Sequence, residues 1–100
     1  MEKRTPTYDL EGIKGAARDG SLNVTFSANQ TVFRMGARVE DLFQLIQTLS
    51  IREHFYKSMT SYADHRIWQD VYHVEWREVM MYLKFTIDDN GYLVVSFKAK

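Results

Sequence analysis

VMMYLKFTIDDNGYLVVSFK, residues Val79 to Lys98, decides the fold. Val79, Met81, Leu83, Phe85 and Ile87 alternate with Met80, Tyr82, Lys84 and Thr86. Beyond the turn, Leu93, Val95 and Phe97 alternate with Tyr92, Val94, Ser96 and Lys98. A period of two with one mainly apolar side marks two strands of a half-buried antiparallel sheet. Asp89-Asn90-Gly91 between them is a hairpin turn signal. A two-residue Asn90-Gly91 loop would set Phe97 opposite Lys84 and Lys98 opposite Leu83, mixing faces along the whole ladder. A buried sheet does not tolerate that slip. A three-residue loop with Gly91 in the left-handed position puts Leu93 against Ile87, Val95 against Phe85 and Phe97 against Leu83. The same register sets Tyr82 across from Lys98, and Lys84 across from Ser96.

Upstream, Phe55 to Ser61 and Gln69 to about Val74 are further strand candidates. The turn that follows them contains no Gly, Pro or Asn. With Glu75-Trp76 as a two-residue loop, Gln69 lands opposite Tyr82. Residues 5–49 have the helical period instead. Thr5-Pro6 has the form of a cap and first helical residue, with Leu10, Ile13 and Ala16 or Ala17 on one face and Gly20 as the stop. Leu22 to Thr25 is a small strand or a connector. Ser27 is placed to cap a second helix carrying Val32, Phe33 and Met35, which Gly36 ends. Val39, Leu42, Phe43, Ile46 and Leu49 mark a third, with Glu40 and Asp41 in its first turn where the dipole favours anions. A short helix at 51–54 precedes Phe55. The expected architecture is α+β, N-terminal helices packed on a C-terminal antiparallel sheet, in one domain over 1–100. Ile67-Trp68 suggests a core position for Trp68.

Composition narrows function. The 100 residues carry 13 basic and 13 acidic side chains and no cysteine. A neutral chain is a poor grip for long nucleic acids, and disulfide frameworks and thiolate zinc sites are excluded. No apolar run is long enough to cross a membrane. Met-Glu-Lys-Arg-Thr-Pro lacks the apolar region of a secretory signal, so the cytoplasm is the expected compartment. His54, His65 and His73 are not spaced as ligands on one helix face, and Asp64-His65 beside Arg66 reads as a solvated turn. No metal site and no cofactor are expected. The scattered glycines form no phosphate loop, and no nucleophile motif surrounds a Ser or Thr. What remains is a polar and aromatic sheet face: Lys57, Gln69, Tyr82, Lys84 and Lys98, with Tyr56, Tyr62 and Tyr72 nearby. Such a face suits strands and solvent alike. It also suits RNA, whose unpaired bases stack on tyrosines and whose phosphates meet lysines.

The segments FYKSMT (55–60), IWQDVY (67–72), YLK (82–84), VSFK (95–98) and MEKRTP (1–6), in this order, resemble the MqsR family, toxins of type II toxin–antitoxin systems. The resemblance is dense over 55–72 and 82–98 and weak through 20–48. It implies a RelE-like microbial-ribonuclease architecture and an mRNA interferase that cuts single-stranded mRNA at GCU-like sites without the ribosome. It places catalytic roles on Lys57, Gln69, Tyr82 and Lys98. Tyr56, Lys84 and Tyr72 are the expected RNA-binding neighbours. The implied partner is an antitoxin with a zinc-binding domain and a helix-turn-helix domain. A catalytically inactive RNA- or protein-binding module of the same fold is the alternative. Metal-free cleavage would use the substrate's own 2′-hydroxyl, and a lysine could act as base only with its pKa brought down by burial or by other lysines.

Overall fold

The computed structural model describes residues 1–100. Its elements run β1 (Glu2–Lys3), α1 (Leu10–Asp19), β2 (Asn23–Val24), α2 (Phe26–Arg34), α3 (Val39–Gln47), α4 (Ile51–His54), β3 (Phe55–Thr60), β4 (Trp68–Trp76), β5 (Val79–Ile87) and β6 (Leu93–Ala99). The six strands form one sheet in the order β1-β3-β4-β5-β6-β2, antiparallel except where β2 joins β6. This is the expected α+β architecture. Helices cover one face of the sheet and the other face is open. No helix is long and apolar enough to cross a membrane.

The core lies between Leu10, Ile13, Ala17, Ala28, Val32, Leu42, Leu45 and Ile46 of the helices and Tyr72, Val74, Met81, Leu83, Phe85, Val95 and Phe97 of the sheet. Each fully buried Leu, Ile or Phe contributes about 1.5–3 kcal/mol. The alternation that marks the strands is therefore also what attaches the helices to one side.

The β5–β6 hairpin has the register expected from matching faces. Leu83 faces Phe97, Phe85 faces Val95, Tyr82 faces Lys98 and Lys84 faces Ser96. Gly91, at φ 82°, occupies the left-handed position. Asp88 Oδ1 accepts the N–H groups of Asn90 and Tyr92, both at 2.9 Å.

The β4–β5 hairpin differs from expectation. Its loop is Arg77-Glu78, not Glu75-Trp76, and both loop residues have positive φ, 54° and 69°. Trp76 therefore pairs with Val79, and His73, not Gln69, stands opposite Tyr82. The two registers differ by an even step, so both keep apolar side chains inward and alternation cannot distinguish them. Tertiary packing does. The longer hairpin brings Trp76 within 5.5 Å of the Phe97 ring. It also lays Arg77 over Trp76 at 4.6 Å, with a 3.2 Å bond from Arg77 Nη1 to the Met35 carbonyl.

Two helix starts differ from expectation for one reason: long-range partners override local caps. α1 begins at Leu10, not at Pro6, because the N–H groups of Thr7 and Tyr8 donate to the buried Asp70 carboxylate on β4. Thr25, not Ser27, caps α2, its Oγ1 accepting from Ala28 N at 3.1 Å. The bond from Thr25 N to Val95 O holds Thr25 extended there. Phe33 of α2 is exposed rather than inward. Trp68 is half-buried at the end of β4, outside the core, with Lys3 Nζ 4.4 Å above its ring. β1 was not expected; it pairs Glu2 with Met59 and Lys3 with Ser58.

Candidate active site

The open face is built from side chains that the pleat turns away from the helices. Lys57 and Val71 pair across β3 and β4, Val71 and Lys84 across β4 and β5, Lys84 and Ser96 across β5 and β6. One row of the sheet thus carries two lysines two strands apart, about 10 Å at the backbone and within reach of one phosphate. The adjacent row carries His73, Tyr82 and Lys98.

A β-bulge completes it. Phe55 pairs with Tyr72 but Lys57 pairs with Val71, so Tyr56 is an extra residue. The bulge re-aims its side chain. Tyr56 joins the open face, its ring stacked on His73 at 4.3 Å with Lys57 Nζ 5.3 Å away. Strict alternation would have sent Tyr56 and Lys57 to opposite faces.

Two shallow hollows result. One, of about 290 Å³, is lined by Tyr56, Lys57, Met59, Val71, Tyr82, Lys84 and Lys98. The other, of about 180 Å³, has Ser27, Gln69 and Ser96 against the same Tyr82, Lys84 and Lys98. Lys57, Tyr82 and Lys98 are thus brought together, with Tyr56 and Lys84 beside them. Gln69 lies across the shared wall, in the second hollow. A larger hollow between Pro6–Leu10 and Leu49–Ile51 gathers no such cluster.

The lysines are not equivalent. Lys57 Nζ donates to Glu2 Oε2 at 2.6 Å, and this bond raises the Lys57 pKa, stabilising the cation. Burial lowers the Lys84 pKa, and the charges of Lys98 and Lys57 lower it further. Lys98 Nζ sits 5.9 Å from the centre of the Tyr82 ring. The arrangement offers a lysine paired with a carboxylate, an amine whose charged form burial and neighbouring lysines disfavour, and a phenol in the adjacent row. No group of three His, Asp or Glu side chains converges as a metal ion would require.

A motility quorum-sensing regulator family, described as the toxin of MqsA, matches residues 5–99. The chain belongs to the MqsR toxin family. It is 41% identical to the mRNA interferase toxin MqsR of Escherichia coli (strain K12), over the whole of both chains.

One expected RNA contact of this MqsR-family chain is corrected. Tyr72 is 0% exposed and packs edge-on against Phe55 and Phe85, on the helix side of the sheet. Its partner across β5 is Leu83, so alternation directs it inward. Its hydroxyl has no hydrogen-bond partner, and burial pushes its pKa up. Two residues at this site escape a sequence reading. Glu2 reaches Lys57 only through β1, and His73 reaches Tyr82 only through the longer β4–β5 register. That register, written out from the Trp76–Val79 pair, is the signal that would have found His73.

Proposed function

We propose that this chain, an endoribonuclease toxin of the mRNA interferase kind, cuts single-stranded mRNA through the substrate's own 2′-hydroxyl, with no metal ion and no ribosome. One observation carries the reading: Lys57, Lys84 and Lys98 line one hollow with Tyr82 on an uncovered sheet face. In water-facing surroundings a phosphate meets such a cluster as an anion meets pre-placed cations. The cluster also reconciles the neutral overall charge with an RNA substrate. A few unpaired nucleotides need a local charge, not a basic chain.

The roles follow from the electrostatics. Lys57, held in place by Glu2, and Lys98 stabilise the charge on the phosphorane. Lys84 in its neutral form takes the 2′-hydroxyl proton. As the bond from O2′ to phosphorus forms, the bond to the 5′-oxygen breaks, and that oxygen takes a proton from Tyr82. The products are a 2′,3′-cyclic phosphate and a 5′-hydroxyl, and solvent restores Lys84 and Tyr82. Gln69 orients the nucleotide in the second hollow, since an amide does not titrate near neutrality. Tyr56 offers a ring for an unpaired base. GCU-like sites in the cytoplasm are the proposed targets. A cognate antitoxin, with a zinc-binding domain and a helix-turn-helix domain, is the proposed partner.

The test incubates purified protein with a GCU-containing RNA in EDTA, beside Lys57→Ala and Tyr82→Phe, and maps both new ends. Cutting at GCU with a cyclic phosphate, lost in both variants, is expected. Uncut RNA from folded protein overturns the nuclease reading, and cutting abolished by EDTA overturns the metal-free one. Growth inhibition on expression, relieved by Lys57→Ala, separates the toxin from an inactive binding module.

A further inference from the structure

We propose that His73 is a positioning residue of this site, holding the rings of Tyr82 and Tyr56 in place over the lysine cluster. The inference rests on the role given to Tyr82 above. His73 and Tyr82 are direct partners across β4 and β5. Their ring centres lie 4.6 Å apart, edge to face at 73°. The imidazole also stacks on Tyr56, at 4.3 Å and 26°. His73 is therefore the middle ring of a row spanning β3, β4 and β5. A lone tyrosine on an open sheet face has free side-chain torsions, and a reacting group gains rate from being held in one geometry.

The chemistry of the ring fits this task in one protonation state. His73 Nε2 is buried and has no hydrogen-bond partner. A neutral imidazole can leave one nitrogen bare, whereas an imidazolium would bury an N–H with no acceptor. The surrounding charges point the same way. Lys98 of β6 and Lys100 just beyond it lie 5.9 and 6.0 Å from the Tyr82 ring, and Lys57, itself paired with Glu2, and Arg4 lie 5.3 and 5.8 Å from the Tyr56 ring. Tyr56 and Tyr82 themselves meet the imidazole through their rings. The one acid on the same side of β4, Glu75, is an exposed residue nearer the hairpin tip. Burial and the Lys100 charge both lower the His73 pKa. Protonation would thus disrupt the row that aligns Tyr82.

The test measures kcat, KM and melting temperature for wild type, His73→Ala and His73→Phe, with ring-proton NMR of the free proteins. His73→Ala is expected to lose about tenfold or more in kcat while staying folded, with KM changed less than about threefold. His73→Phe refills the middle of the row and recovers most of that loss. Wild-type kcat should fall as His73 gains a proton below its ordinary value of about 6.5, and His73→Phe should lack that limb. In the free protein, the Tyr82 and Tyr56 ring signals should follow the His73 titration and be displaced in His73→Ala. Folded His73→Ala with wild-type kcat overturns the proposal. So does His73→Phe as slow as His73→Ala, or tyrosine rings indifferent to His73. Tyr82→Phe cutting at the wild-type rate would instead remove the role of Tyr82 in cleavage, while the NMR signals still decide whether His73 holds the rings.

Discussion

Replacing Asp70 should release the N-terminal strap from the sheet. Asp70 is 0% exposed, and its carboxylate is spent on backbone donors. Oδ2 accepts Tyr8 N–H at 2.8 Å and Thr7 N–H at 3.0 Å, and Oδ1 shares the Thr7 N–H at 3.1 Å. In Asp70→Ala both amides lose their acceptor. A buried donor left unpaired costs about 1–3 kcal/mol. Both amides are only partly buried, so water recovers some of that and the total should be about 2–4 kcal/mol. For a domain of this size that lowers the melting temperature by roughly 8–30 °C. Asp70→Asn is the discriminating variant. Its amide oxygen can occupy the Oδ2 place and keep Tyr8 and one branch of Thr7. It gives up charge assistance and the second branch, about 1 kcal/mol. Urea and thermal unfolding of the three proteins should therefore rank wild type, Asn, then Ala. An alanine variant within about 0.5 kcal/mol of wild type, well below the cost of one orphaned amide, would refute the reasoning. So would an asparagine variant as damaged as the alanine one. Because the strap carries β1, the alanine variant should also lose the contact that Glu2 makes with Lys57.

Three further outcomes follow from single side chains. Tyr72→Phe removes a buried hydroxyl that has no partner and should raise stability by about 1 kcal/mol in denaturant titration, with RNA cleavage unchanged; a loss of cleavage would return Tyr72 to the site. Glu78→Gly relieves a positive φ of 69° at an exposed residue and should stabilise by about 1 kcal/mol, read as a higher melting temperature. Glu2→Gln frees Lys57 from its 2.6 Å partner, letting the lysine pKa fall back toward its ordinary value. KM for RNA should then drop at low salt, because the phosphate no longer competes with a carboxylate. The difference from wild type should shrink toward 1 M salt, where charges more than about 3 Å apart are largely screened; a rise in KM would contradict it.

The sequence by itself determined what depends on neighbours a few residues apart. Alternation marked β5 and β6, and Asp89-Asn90-Gly91 chose their register because only one loop length keeps both faces consistent. That was enough to set Tyr82 beside Lys98. The apolar stripe of α3 was equally local, with Leu42 and Ile46 buried as its period requires. The tertiary structure decided what local pattern leaves degenerate. The β4–β5 register could move by an even step without changing faces, and Trp76 packing on Phe97 selected the longer hairpin that carries His73 to Tyr82. The bulge at Tyr56 has no signature in alternation, because an extra residue is defined only against a partner strand. The start of α1 yielded to Asp70, more than 60 residues away in the chain, because a buried carboxylate binds free amides more strongly than a local cap does. Glu2 came to Lys57 by the same route. Short-range periodicity made the strands and the side-chain chemistry legible; contacts between distant segments decided which of those side chains share one site.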